Sequence, residues 1–183
     1  MIAAMRRTLR MVLVMLGLCA HSASAQPSFE LSGGYALGRD PRDEVTLKTG
    51  WIADAAGELT PIVSAVAEAS GQYATIALLN ADARLSMHTV MAGARASARL
   101  GRLTEFAQLL TGVAFASGSA FGSTTASRSL AIQPGVGVDC PLARAWAARA
   151  QFDVRLIRSQ PDATNGGRQF RFAAALVYRA RPR

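Results

Sequence analysis

The sequence predicts an all-β fold: an eight-stranded antiparallel up-and-down transmembrane β-barrel preceded by a cleavable signal peptide. Three observations predict it. The first 25 residues have the layout of an export signal. Eight later segments alternate apolar and polar residues with period two. The connectors between those segments are alternately short and long.

The leader comes first in the chain. MIAAMRRTLR carries Arg6, Arg7 and Arg10 with no acid, MVLVMLGLCA is an apolar run, and Ala23-Ser24-Ala25 offers a small-x-small cleavage site before Gln26. The apolar run is about half the roughly 20 residues that a spanning helix needs. Residues 1–25 are therefore read as signal peptide and residues 26–183 as one barrel domain. Three of the 20 basic residues leave with the leader, so 17 face 12 acids in the remainder. They are dispersed, and all but Lys48 are arginine, which argues against a nucleic-acid patch. Cys140 and His88 are then the sole cysteine and histidine, so no internal disulfide and no cysteine–histidine metal site is expected. No cofactor is expected either.

The eight segments follow. FELSGGYAL sets Phe29, Leu31, Tyr35 and Leu37 against Glu30, Ser32 and Gly34. VTLKTGWIADA sets Val45, Leu47, Trp51 and Ala53 against Thr46, Lys48, Gly50 and Asp54. PIVSAVAEAS opposes Val63, Ala65, Ala67 and Ala69 to Ser64, Glu68 and Ser70. HTVMAGARASARL opposes Val90, the alanines and Leu100 to Thr89, Gly93, Arg95, Ser97 and Arg99. LTEFAQLLTGVAF reads as strand without a clear phase, because Glu105 and Gln108 fall on opposite faces. LAIQPGVGVDC sets Leu130, Ile132, Val136 and Val138 against Gln133 and Asp139; Pro134 removes a ladder donor and is tolerable there at a bulge. The segment from Trp146 carries RAQFDVRLIR, with Arg149, Gln151, Asp153 and Arg155 against Ala150, Phe152, Val154 and Leu156. QFRFAAALVYR closes the set, with Phe170, Phe172, Leu176 and Tyr178 opposite Arg171, Ala173 and Arg179.

Each segment is about 9–11 residues, enough for a tilted strand to cross a bilayer. Short turns are expected near AAGELT, LGRL and CPLARA. Longer connectors are expected at GRDPRDE, GQYATIALLNADARLSM, SGSAFGSTTASRS and SQPDATNGG. An even number of strands brings both ends of the barrel to one side.

A bilayer outside the barrel would take the apolar face, and the polar face would then line the lumen. On this phasing the lumen collects Lys48, Arg95, Arg99, Arg149, Arg155, Arg171 and Arg179 with Glu30, Asp54, Glu68, Asp139 and Asp153. Arg149 or Arg155 is expected to pair with Asp139, and Arg171 with Asp153, closing the lumen to wide diffusion. Phe29, Tyr35, Trp51, Trp146, Phe170 and Tyr178 are placed in girdles at the two membrane interfaces. Cys140 is expected to face lipid near a turn.

The motifs FELSGGYAL, TGWIADAAGEL, HTVMAGARAS, LTEFAQLLTGVAF, AIQPGVGVDCPLARAWAARAQFDVRLIR and FRFAAALVYR resemble the small eight-stranded outer-membrane barrels of Gram-negative bacteria, the OmpA/OmpX-like barrel domain. The resemblance covers residues 28–179 and implies an outer-membrane location with the turns and termini in the periplasm. It also implies outer-membrane lipid and lipopolysaccharide as surroundings, and insertion by the barrel assembly machinery. That machinery reads a last strand ending in an aromatic residue, here Tyr178, although Arg179 to Arg183 follow it. A monomer without nucleic acid is expected.

A non-enzymatic structural or surface-interaction protein is the leading functional expectation. A lipid-modifying barrel enzyme would need His88 as base and Thr89 as nucleophile, yet neighbouring strand residues point to opposite faces. A soluble lipocalin-like barrel would need the inverse arrangement, apolar within and polar without. A narrow pore is the remaining alternative.

Overall fold

The computed structural model describes residues 29–39, 46–47, 49–78, 81–120, 123–158 and 167–180. The signal peptide read over residues 1–25 and the side chain of Lys48 lie outside the described residues. The strands are β1 (Phe29–Arg39), β2 in two pieces (Thr46–Leu47 and Thr49–Glu58), β3 (Val63–Leu78) and β4 (Ala81–Leu100). Then come β5 (Leu103–Ala120), β6 (Ser123–Pro141), β7 (Trp146–Arg158) and β8 (Gly167–Ala180). Each pairs antiparallel with its sequence neighbours, and β8 pairs with β1 from Phe29↔Ala180 to Arg39↔Phe170, which closes the barrel.

The register fixes the barrel's shape. Stepping across paired residues from Phe29 leads through Gly57, Ala65, Ala94, Leu109 and Pro134 to β7 near Val154. It continues through Phe170 and returns to β1 at Arg39. That stagger tilts the strands by roughly 40°, so each residue climbs about 2.5 Å along the axis and the backbone cylinder is roughly 16 Å wide.

The alternation has the expected phase. Phe29, Leu31, Tyr35, Leu37, Trp51, Val90, Leu130, Ile132, Val136, Leu156, Phe172, Leu176 and Tyr178 stand exposed on the outside. Asp54, Glu68, Arg95, Asp139, Arg149, Asp153, Arg155 and Arg171 are buried within. On β5 the inward residues are Phe106, Gln108, Leu110 and Ala114, and Leu109 and Phe115 point out. Both faces of β5 are therefore apolar in part, which is why its sequence does not phase. On β6 the outward apolar run from Cys140 to Leu130 covers roughly 25 Å of axis, the height of an outer-membrane apolar belt.

Two expectations are corrected. The connectors GQYATIALLNADARLSM and SGSAFGSTTASRS are not loops. They are mostly strand, paired from Gly71↔His88 to Leu78↔Ala81 and from Phe115↔Arg128 to Ala120↔Ser123. The four strands β3–β6 have 16, 20, 18 and 19 residues, well past a membrane crossing. Beyond the belt nothing demands an apolar face, so the ladder continues without the alternation that marks a strand in lipid, through mostly small and hydroxyl residues on β5 and β6. Pro134 makes no bulge either. The β6–β7 register is the same on both sides of it, Ile132↔Leu156 and Gly135↔Asp153, and the ladder is merely interrupted between. The side chains of Gln133 and Arg155 bridge that gap, with Nε of Arg155 donating to Oε1 of Gln133 at 2.9 Å.

Tight turns join the strands at the end that carries both barrel termini. Gly101, at φ 62°, makes the β4–β5 turn, a backbone conformation that costs other residues steric strain. The β2–β3 and β6–β7 turns share one hydrogen-bond pattern. The N–H groups of Leu59 and Thr60 donate to the carbonyl of Val63, and those of Leu142 and Ala143 to the carbonyl of Trp146.

Candidate functional site

The chemistry of this molecule is concentrated in the barrel interior, where the inward positions of all eight strands meet. Two charge clusters stand one above the other. The lower one is built from Glu30 of β1, Asp54 of β2, Arg95 of β4, Asp139 of β6, Arg149 of β7 and Arg179 of β8. Arg149 faces Asp139 directly across the β6–β7 ladder and grips it with two bonds, Nε at 2.7 Å and Nη2 at 2.9 Å. Its remaining donors reach Asp54 at 3.3 Å and Glu30. Arg95 bonds Glu30 at 2.9 Å and Asp54 at 3.4 Å, and Arg179 bonds Glu30 at 3.0 Å and also Asp139. The inward ring of Phe106 lies under both guanidinium groups, 4.6 Å from Arg95 and 4.7 Å from Arg149.

The upper cluster holds Glu68 of β3, Asp153 and Arg155 of β7, and Arg171 of β8. Arg171, opposite Asp153 in the ladder, donates to it from Nε at 2.9 Å and Nη2 at 2.7 Å, and to Glu68 from Nη2 at 2.9 Å. Arg155 does not reach Asp139. The two are separated by the six residues from Arg149, which is roughly 20 Å along a strand. Arg155 is fully buried and bonded to neutral oxygens of Gln133, Gln169 and Ser70. Gln133 relays it to an acid, since its amide donates to Glu68 at 3.1 Å. Gln108 ties the clusters together, accepting from Arg95 and donating to Asp153 at 3.3 Å.

Each cluster is neutral: three acids against three arginines below, two against two above. Neutrality matters, because an uncompensated charge in this space costs several kcal/mol. Arg99 is not part of either cluster; it is exposed one residue from the turn made by Gly101. Gln133, Gln151 and Ser70, read on the polar face in the sequence, line the interior together with Gln108, Gln169 and Phe106, which the sequence reading did not place there. Gln169 lies on the polar phase of β8, two residues before Arg171, whereas β5 gave no phase from which to place Gln108 and Phe106.

The aromatic residues stand mostly at the two rims. Phe29, Trp146 and Tyr178 are exposed at the turn end, with the last two rings 5.0 Å apart. At the far end Tyr35 pairs with Trp51, whose indole N–H donates to the Tyr73 hydroxyl at 3.3 Å. His88, read in the sequence as the candidate base, continues that rim together with Tyr73 and Phe115, which were not singled out there. Phe170 is only half-buried against Phe152, at 6.1 Å. Cys140 is exposed beside the β6–β7 turn.

Among solved structures the chain is similar to Ail, the attachment invasion locus protein of Yersinia pestis, at 16% identity and a TM-score of 0.62. The match covers 85% of this chain and all of that one. The fold is that of the small outer-membrane β-barrels. Neisserial surface protein A matches at 12% identity with a TM-score of 0.63, covering 86% of this chain and 99% of the other. The N-terminal barrel domain of Pseudomonas aeruginosa OprF matches at 10% identity with a TM-score of 0.60, covering 84% and 97%. No protein-family model and no curated protein matches the sequence. The apolar belt and the closed ladder agree with the outer-membrane location of these proteins, since only a closed strand array satisfies its backbone in lipid.

Proposed function

We propose that this outer-membrane barrel is a non-enzymatic anchor, sealed by its ion pairs, that holds a four-stranded sheet at the cell surface for interaction with a partner. The observation that carries the reading is the continuation of β3–β6 beyond the apolar belt. Past Leu130, β6 runs another seven residues to Ser123, roughly 18 Å farther along the axis. In that region, among the described residues, β3 has no β2 ladder partner beyond Tyr73 and β6 has no β7 ladder partner before Leu130. Among the described residues, two strand edges therefore have no ladder partner there, and such an edge is a surface that can add a partner's strand. A recess of about 330 Å³ lies in the same sheet, lined among others by Tyr73, Thr75, Arg84, Ser86 and Ser117. Short turns at one end and long arms at the other are the periplasmic and external ends of such barrels. Ail, of similar fold, is described as an attachment protein in complex with a heparin analogue.

The residues needed for an enzyme support the non-enzymatic reading. His88 is exposed outside the barrel beside Trp51 and Tyr73, whereas Thr89 is buried inside and bonded to Ser70 at 2.8 Å. They face opposite solvents and share no reacting atom.

The test compares the full chain with a shortened one in which residues 75–84 and 118–125 are each replaced by an Asn-Gly turn. Both are displayed on a Gram-negative host and scored for adhesion to epithelial cell layers. The intact chain is expected to adhere and the shortened one not, while both stay in the outer-membrane fraction with a heat-modifiable gel shift. Equal adhesion by both, or none by the intact chain, contradicts the reading.

A further inference from the structure

The recess in the protruding sheet is built by the ladder itself. Two cross-strand rows run over β3, β4 and β5: Tyr73–Ser86–Ser117 and, two residues farther out, Thr75–Arg84–Ser119. Tyr73, Thr75 and Arg84 are exposed, and Tyr73 bonds the outward Trp51, so these six side chains stand on the outer face of the sheet. Between the rows lie Ala74, Leu85 and Gly118, whose side chains the alternation of a strand turns to the other face. They leave a floor of backbone between two walls of side chains, a recess of about 330 Å³. That is the small end of ligand clefts, room for a molecule of sugar size and not for a folded segment.

The walls have a definite chemistry. Arg84 is the one charged residue that lines the recess, and it has no ion pair among the described residues. It lies four residues beyond His88 of the rim, about 10 Å along the axis and clear of the apolar belt. The hydroxyls of Ser86 and Ser117 bond each other at 2.7 Å. The Tyr73 hydroxyl accepts the indole N–H of Trp51, which holds the phenol ring at the membrane side of the recess. The next described arginine on this outer face, Arg128, is two strands and four residues away, roughly 16 Å, and lies over the Phe115 ring.

We infer that the recess binds a single sugar ring carrying one carboxylate; this deepens the surface-interaction reading and rests on it. The guanidinium fork of Arg84 takes both carboxylate oxygens. The hydroxyls of Thr75, Ser86, Ser117 and Ser119 can each donate and accept, as the hydroxyls of a sugar do. The Tyr73 ring gives the C–H face of the sugar an apolar surface. One isolated cation suits one carboxylate, whereas a polysulfated chain calls for several cations close together.

The experiment titrates the full mature chain in phospholipid nanodiscs with methyl glucuronide and methyl glucoside, read by ligand NMR. The two differ only in a carboxylate against a hydroxymethyl group. The glucuronide is expected to bind with a Kd of roughly 1 mM, and the glucoside about tenfold more weakly. R84Q is expected to bring the glucuronide to the affinity of the glucoside and to leave the glucoside unchanged. R84K keeps the charge but not the fork, so its loss is expected to be intermediate. Y73A is expected to weaken both sugars about fivefold. R128Q, outside the recess, is expected to bind like the parent, and the heat-modifiable gel shift checks the fold of every variant. Equal binding of the two sugars by the parent, an equal loss in R128Q, or displacement of the glucuronide by millimolar acetate overturns the inference. So does tighter binding of dextran sulfate that R128Q weakens as much as R84Q, the mark of a diffuse basic surface. Adhesion that needs the protruding sheet, without any preference between the sugars, overturns the inference and leaves the reading of the sheet in place. Where the preference is found, adhesion of the displayed R84Q chain to epithelial cell layers assigns its source. Reduced adhesion puts the carboxylated sugar on the contacted cell and full adhesion puts it on the carrier's own surface, and both support the inference.

Discussion

Arg171→Met is the most informative single change in the interior. Arg171 is wholly buried, and it is the one cation bonded directly to both acids of the upper cluster, Asp153 and Glu68. Its loss leaves two carboxylates against Arg155 alone, a net negative charge in a space with no bulk water. Breaking such a buried pair from one side costs about 3–5 kcal/mol. Adding Asp153→Asn restores neutrality, with Glu68 balanced against Arg155 through Gln133, so the double variant should lose only about 1–2 kcal/mol, a coupling large enough to measure in a cycle. The assay is equilibrium unfolding in urea from phospholipid vesicles, read by the fluorescence of Trp51 and Trp146, both exposed on the lipid face. A cost below about 1 kcal/mol for Arg171→Met, or a double variant no better than the single, would refute the view that the interior is dry and its charges balanced in separate clusters.

Three other outcomes follow from the same geometry. Leu109→Arg, on the outward face of β5, should cost about 2–4 kcal/mol in the vesicle unfolding assay, because it sets a charge in the apolar belt. Gly101→Val should slow or misdirect barrel closure and cost about 1–2 kcal/mol, measured by the fraction that refolds to the heat-modifiable form, since valine disfavours a φ of 62°. Gln133→Leu strips Arg155 of a bonded oxygen and of its relay to Glu68. Stability should fall by about 2 kcal/mol, and planar-bilayer recordings, expected to show no steady conductance for the parent chain, should show intermittent opening.

What the sequence made legible was the part written by lipid. Where a strand lies in the belt, one face must be apolar and the other is free to be polar, and seven segments show that contrast. On β5 it fails because Phe106 and Leu110 fill the lumen from within, Phe106 beneath two arginines. Beyond the belt the constraint ends, so strand extensions such as Ser123–Ser129 look like loops in composition. The direct pairs Arg149–Asp139 and Arg171–Asp153 were readable because they face one another on neighbouring strands. Contacts across the lumen, such as Arg95–Glu30 and Arg171–Glu68, depend on the stagger of the whole barrel, which no local pattern encodes. Arg155 illustrates the limit, because its neutral partners come from β3, β6 and β8.

The most direct test of the account is a spin-label scan of β7 from Trp146 to Leu156 in vesicles, in a Cys140→Ser background, with collisions measured against oxygen and a water-soluble nickel chelate. Labels at 150, 152, 154 and 156 should meet oxygen freely, while those at 149, 151, 153 and 155 are shielded from it, giving a period of two. A flat profile, or nickel access that peaks at 149, 153 and 155, would show that these charges face open water and not a closed interior surrounded by lipid.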